Sequence, residues 1–283
     1  MASYNEIATR LAQACTFLFV PGNRPDRFAS AWNAGADVVI LDLEASVHPD
    51  SKAQAREEVV RWLQIAPSHV TPLIRVNQPG SPALASDLLA LRDLPSLGLM
   101  CSYAQLGHSL DAVLAAASGR HPVVLLIENA QGVEQASQLA SSPGVCRLAF
   151  GNMDYVTELH LGSGTVGLIY PSSKIAVASS CAGLPPPIAG VTADIHNAEI
   201  LSRDMHFERD IGFGAKMCIH PKQVAPVREI FEPSPAETAW AHKILAATSK
   251  SHAVSVDGQM VDRPVIDRAR AIVARARVNP TAS

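Results

Sequence analysis

Short apolar runs and helix-like segments alternate about eight times along this chain, and few folds accept that rhythm. The runs are Thr16–Val20, Asp37–Leu43, Pro72–Val76, Leu97–Cys101, Val123–Ile127, residues 147–151, Ile188–Thr192 and Ala215–Ile219. A brief apolar run closed by turn or polar residues reads as a strand buried on both faces. Helix-like segments follow the first strand, near Asp26, and lie at about 51–63, 84–91, 165–182 and 198–210, with Gly183 and Gly212 as stops for the last two. The pattern predicts a (β/α)8 TIM barrel over residues 1–232. A doubly wound open sheet is the competitor, but it usually needs fewer repeats.

Residues 233–283 differ in kind. Pro233-Ser234-Pro235 breaks the chain, an Ala-rich helix runs to about Ser249, and Asp257-Gly258 is a hairpin signal between two β-rich runs. A last helix covers about 269–276. This C-terminal extension is expected to cover the barrel mouth as a lid, to pack on a neighbouring subunit, or both.

Composition excludes several classes of function. Hydrophobic residues make up 48% of the 283, enough for a large core, and 17% are charged. A net charge of -3 with scattered basic residues gives no case for nucleic acid. Five cysteines without a C-x-x-C pair support neither zinc nor a disulfide framework. No apolar stretch is long enough for a bilayer, and the N-terminal residues lack a signal-peptide core, so a cytoplasmic protein is expected.

The fifth and sixth strands end on carboxylates, Glu128 and Asp154. Ionised carboxylates are rarely buried unless paired or metal-bound. Two of them at neighbouring strand exits suggest a hard cation, and so sparse a set fits Mg²⁺ better than a calcium cage. Asp42, Glu44 and Arg75 also fall at strand ends on the face where barrel enzymes place their chemistry. Any one acid there is more often a helix cap or a surface ion pair; the case rests on the set. Arg75 suits a substrate carboxylate or an enolate oxygen, and an internal pair with Asp42 or Glu44 is equally compatible with its position. Pro21-Gly22-Asn23-Arg24 offers backbone N–H groups and a cation for phosphate. Gly162-Ser163-Gly164-Thr165 lacks the remaining positions of a phosphate loop and reads as the start of a helix. His220 is the best-placed histidine, though a structural role is the commoner one.

The segments FLFVPGNRPDRFASAWNAGADVVILDLEASV, LIRVNQPGS, LLIENAQGV, AFGNMDYV, GAKMCIHPKQV and DGQMVDRPVIDRAR span nearly the whole chain. In these the sequence resembles the citrate lyase β-subunit-like branch of the HpcH/HpaI aldolase superfamily. The resemblance implies a barrel with a C-terminal lid, assembled as a homo-oligomer (a trimer or dimer of trimers), acting with Mg²⁺ on CoA or acyl-carrier thioesters. It implies Glu128 and Asp154 as metal ligands and Arg75 as the arginine that steadies an enolate, with Asp42 and Glu44 ordering that arginine and metal-bound water. Asp262 matches a lid aspartate that transfers a proton in a neighbouring subunit's site. Phe19, Pro21 and Gly22 match the loop lining the CoA or substrate pocket, with Arg24, Lys216 and His220 as weaker members.

Three positions depart from the family pattern. Ala45 replaces the last acid of Asp-Leu-Glu-Asp, Met100-Cys101-Ser102-Tyr103 stands where Leu-Pro-Lys is usual, and Met153 precedes the metal aspartate in place of Glu. The implied reaction is retro-Claisen cleavage of a 3-hydroxyacyl-CoA to a 2-oxo acid and acetyl-CoA, with citramalyl-CoA favoured over malyl- and citryl-CoA. The alternatives are a class II aldolase of free hydroxy-oxo acids and a non-catalytic partner subunit of an acyl-carrier lyase.

Overall fold

In the computed structural model, which describes residues 3–66, 72–95, 97–248, 254–256 and 259–276, the eight apolar runs pair edge to edge. An N-terminal helix, α1 (Tyr4–Gln13), precedes β1 (Thr16–Pro21) and α2 (Phe28–Asn33). Then come β2 (Val38–Asp42), α3 (Lys52–Ile65), β3 (Pro72–Val76), α4 (Pro82–Leu91), β4 (Gly98–Cys101) and α5 (His108–Ala117). After β5 (Val123–Ile127) the return is split into α6 (Ala130–Glu134) and α7 (Ala136–Ala140). The sixth repeat holds β6 (Val145–Phe150), α8 (Asn152–Glu158) and α9 (Val166–Cys181). β7 (Ile188–Ala189), α10 (Ala198–Ile211), β8 (Ala215–Cys218) and α11 (Val224–Phe231) complete the circuit. All eight strands are parallel and close in sequence order, with Thr16, Phe17 and Leu18 of β1 paired to Lys216, Met217 and Cys218 of β8. The fold is a (β/α)8 barrel.

Alternation decides what lies inside it. Phe17, Val38, Ile40, Leu73, Met100, Val124, Leu126, Ala149, Ile188, Ala215 and Met217 form one buried interior cluster. Successive strand residues point to opposite faces, so Phe19, Asp42, Arg75, Glu128 and Gly151, two residues further along their strands, follow the same inward parity at the C-terminal mouth. Lys216, flanked by Ala215 and Met217, has the opposite parity.

The other end of the barrel is plugged. Ile7, Leu11 and Ala14, from α1 and its exit, belong to the interior cluster. α1 starts on a capping box in which Ser3 and Glu6 satisfy each other's backbone N–H groups. Arg147, 1% exposed, donates to the carbonyls of Leu11 (2.7 Å), Ala14 (2.8 Å) and Pro186 (2.8 Å), tying that helix to the starts of β6 and β7.

β7 is shorter than the expected run to Thr192, for a local reason. The Asn152 side-chain amide takes both the N–H and the C=O of Val191 (3.0 Å each), in place of a strand ladder. The approach is close enough that a Cβ on Gly190 would strike that amide.

The chain divides into two compact units, Met1–Arg228 and Glu229–Ser283. In the second, α12 (Pro235–Thr248) packs on α13 (Arg263–Arg275) through Ala241, Ile244 and Ala269. β9 (Val254–Val256) pairs antiparallel with β10 (Gln259–Val261), Val256 facing Gln259; the Asp257-Gly258 turn itself lies outside the described residues. All five cysteines are free thiols. Among the described residues no helix is long and apolar enough to cross a membrane.

Candidate active site

The mouth is built around one buried ion pair. The β2–β3 register sets Asp42 beside Arg75, and the guanidinium meets the carboxylate through two hydrogen bonds, Nε to Oδ1 and Nη2 to Oδ2, both 2.7 Å. Their side chains are 11% and 1% exposed. Asp42 also accepts the backbone N–H of Glu44 (2.8 Å) and of Ser46 (2.9 Å), and the Ser46 hydroxyl. Burial works against the Asp42 carboxylate, but Arg75 and these donors outweigh it and hold its pKa below the usual range. Nη1 of Arg75 lies 3.5 Å from Glu44, and the Phe19 ring stacks under the guanidinium at 4.6 Å. Lys52 clamps the loop after β2, donating to the carbonyls of Leu43 (2.9 Å) and Glu44 (2.6 Å).

The first strand's loop is locked to the same corner. The Gly22 N–H donates to the Asp42 carbonyl (2.8 Å), and a Cβ at Gly22 would come within 2.7 Å of that oxygen. Pro21 pairs with Asp42 in register. Arg24 is turned to Asp26 in an exposed bidentate pair, Nε–Oδ1 2.9 Å and Nη2–Oδ2 2.7 Å.

Across the mouth, Glu128 is 2% exposed. Burial pushes its carboxyl up to about 8; Arg75 pulls the other way and the Asp154 charge adds to the rise. Its one hydrogen bond among the described residues is from the Tyr103 backbone N–H to Oε2, 3.1 Å. The Tyr103 hydroxyl donates to Asp154 Oδ1 at 2.9 Å, so one residue links both carboxylates. Gly151 makes the room: a Cβ there would clash with Glu128 Cγ and sit 2.7 Å from Oε1. Asp154 is exposed, in the first turn of α8. A buried, protonation-prone carboxylate beside an exposed one, each with an oxygen free of hydrogen bonds among the described residues, is an all-oxygen donor pair. It suits a hard divalent cation that brings its own waters. No group of three or more His, Cys, Asp or Glu able to hold a metal occurs among the described residues, which fits a sparse pair rather than a protein cage. Cys101, buried nearby, is held up to about 12 by burial and by the Glu128 charge, so it supplies no thiolate at neutral pH.

Lys216, expected beside the substrate, is not at the mouth. It points outward from β8 to α10, where Nζ donates to Glu208 Oε1 (2.7 Å) and Oε2 (2.8 Å) and to the Gly190 carbonyl (2.8 Å). Its three donor bonds are spent in a buried structural ion pair. His220 follows β8 at the mouth, half-buried, with Nδ1 accepting the Lys222 N–H (3.1 Å) as a cap. Asp262 is exposed and caps α13 through the Val265 N–H (3.2 Å) in the second unit. Tyr103, Gly151, Ser46 and Lys52 have no role in the sequence reading. Tyr103 stands where the fourth strand exits, the position at which the sequence departs from the family pattern, and that departure was its available signal.

The chain is similar to known proteins along most of its length. The chain is 34% identical over 274 residues to a citrate lyase subunit beta-like protein of Deinococcus radiodurans, covering 91% of this chain and 95% of the relative. It is 27% identical to the L-malyl-CoA/beta-methylmalyl-CoA lyase of Rhodobacter capsulatus, covering 92% and 94%. The structure of Mycobacterium tuberculosis CitE in complex with magnesium, acetoacetate and coenzyme A superposes with a TM-score of 0.76 at 31% identity, covering 94% of this chain and 99% of that one. The family described as HpcH/HpaI aldolase/citrate lyase matches residues 15–221, from the start of β1 to just past β8, and so takes in every barrel residue of the mouth. With that match and the Deinococcus relative in agreement, the chain belongs to the HpcH/HpaI aldolase/citrate lyase family.

Proposed function

We propose that the protein is a Mg²⁺-dependent carbon–carbon lyase that cleaves a 3-hydroxyacyl-CoA to a 2-oxo acid and acetyl-CoA, with citramalyl-CoA the favoured substrate. The observation that carries the reading is the pairing, at one barrel mouth, of a rigidly held guanidinium with a two-carboxylate site. The ligands of the mycobacterial structure and the malyl-CoA lyase relative support a CoA ester over a free hydroxy-oxo acid.

Glu128 and Asp154 would hold the cation; when bound, Mg²⁺ supplies a Lewis acid for the substrate's carboxylate and hydroxyl oxygens. The 3-hydroxyl gives its proton to solvent water in the open mouth, its O–H electron pair becomes the carbonyl of the 2-oxo acid, the C2–C3 bond breaks, and that bond's electron pair passes onto the thioester carbonyl. Arg75 meets the oxygen on which that charge grows. Asp42 fixes its Nε and Nη2, so the guanidinium is oriented before charge develops, the condition under which such stabilisation is strongest. Asp262 is the proposed acid that protonates the enolate carbon, delivered by the C-terminal extension of a neighbouring subunit in a cytoplasmic homo-oligomer. Phe19, Pro21, Gly22, Arg24 and His220 are proposed to line the thioester's approach.

The test is a panel of citramalyl-, malyl- and citryl-CoA with purified protein, with and without Mg²⁺, assayed for 2-oxo acid and acetyl-CoA together. Stoichiometric release of both, lost on chelation, is expected. Release of 2-oxo acid from free hydroxy-oxo acids without CoA would replace this reading with the aldolase one. Inertness towards every CoA ester, with activity only alongside an acyl-carrier partner, would replace it with the subunit one.

A further inference from the structure

The reading of Glu128 and Asp154 as cation ligands leaves one residue at the mouth unexplained. Tyr103 sits at φ 47°, one of two non-glycine residues with positive φ among those described. A bulky side chain is uncommon in this left-handed region, and strained backbone persists where the surroundings over-determine it. Here two hydrogen bonds do so, and both end on the carboxylates. The backbone N–H meets Glu128 Oε2 and the phenol hydroxyl meets Asp154 Oδ1. What they leave is also informative: Glu128 Oε1 and Asp154 Oδ2 have no hydrogen-bond partner among the described residues.

We propose that Tyr103 is the positioning residue of the cation site, a single brace that sets the distance and orientation of the two carboxylates. Asp154 needs such a brace more than Glu128 does. Glu128 is walled in by Gly151 and by burial, whereas Asp154 is an exposed side chain on the first turn of the seven-residue α8, free to take other rotamers. The phenol holds one Asp154 oxygen and leaves the other for a ligand. The left-handed turn is what lets one residue reach both: it aims the N–H at β5's carboxylate and the ring at α8. Groups that orient metal ligands from behind contribute about 10–100-fold to metal affinity, and that is the scale expected for this hydroxyl.

The test is Mn²⁺ binding to the full-length protein, followed by the electron paramagnetic resonance signal of free Mn²⁺, in wild type, Tyr103→Phe, Tyr103→Gly and Glu128→Gln. Tyr103→Phe removes only the hydroxyl. Tyr103→Gly removes the ring yet accepts the positive φ without steric cost and keeps the N–H on Glu128. Both are expected to remain folded by circular dichroism and to bind Mn²⁺ about 10–100-fold more weakly. Saturating Mg²⁺ should restore turnover in Tyr103→Phe but not in Glu128→Gln, which a merely structural tyrosine would not arrange. Affinity of Tyr103→Phe within twofold of wild type overturns the proposal while leaving the cation site standing. Wild type without saturable binding that Glu128→Gln abolishes would overturn the cation reading itself, and this inference with it.

Discussion

Replacing Arg75 with Met tests the electrostatics of the mouth independently of turnover. The substitution keeps an apolar side chain of similar reach but removes the guanidinium that stacks on Phe19 and pairs with Asp42, leaving a carboxylate that is buried in the wild type with no cation against it. Breaking a buried pair in this way costs about 3–5 kcal/mol. The N–H groups of Glu44 and Ser46 still reach Asp42, which places the expected loss near the lower bound, about 3 kcal/mol. In a chain of this size that lowers Tm by about 6–12 °C.

The pH dependence makes the argument specific. In the wild type the Asp42 pKa is depressed, so its stabilisation is present above the unfolded carboxyl value of about 3.9 and is lost as pH falls through the lower folded value. Without Arg75, burial dominates and the folded pKa rises above the unfolded one. The variant's deficit is then largest above that raised value and shrinks as pH falls towards about 3.9. Urea unfolding of both proteins from about pH 8 to pH 4.5 should show the gap narrowing. A loss under about 1 kcal/mol at neutral pH, or a gap that ignores pH, would refute the account of the pair. Turnover should fall about 10²–10³-fold at any pH where the variant is folded.

Gly151→Ala should force a methyl against Glu128, costing about 1–3 kcal/mol by chemical denaturation and weakening Mn²⁺ binding together. Lys216→Met should destabilise by about 3–5 kcal/mol through the stranded Glu208, with KM for the thioester unchanged; a raised KM would restore Lys216 to the substrate. Arg147→Met should strip donors from the carbonyls of Leu11, Ala14 and Pro186 at about 1–3 kcal/mol each, lowering Tm while kcat at permissive temperature stays put.

Much of this was legible in the chain because the strands of a parallel barrel are nearly uniform apolar runs, and these ended within a few residues of their expected limits. The same uniformity hid the parity. With both faces apolar, nothing in Ala215-Lys216-Met217 marks which residue looks inward; the family resemblance alone implies Lys216 as a weaker member of the pocket, and the structure turns it outward to Glu208. β7 was overdrawn because a side-chain amide from α8 can satisfy a backbone that reads as strand, a substitution no local pattern reveals. α1 carries a capping box and a paired apolar face at Ile7 and Leu11, and both lie in the sequence as local patterns. Asp42, Arg75, Glu128 and Asp154 could be found because charge beside a buried strand is rare. Tyr103 offers only its departure from the family pattern, since its backbone conformation and its two-ended bonding exist only once β4, β5 and α8 are assembled.

The plug at the far end of the barrel also orders the events of folding. Arg147 lies 136 residues after the Leu11 carbonyl it binds, and β1 has no second neighbour until Lys216–Cys218 is made. Once made, α1 therefore waits for the Arg147 tie until 136 further residues have followed Leu11. Such late-satisfied contacts lengthen the time apolar surface stays open to wrong partners. The segment that plugs the barrel is thus also apolar surface that waits for its partners while the chain is made, and a charged solubilising tag ahead of α1 should improve yield more than the same tag after α13.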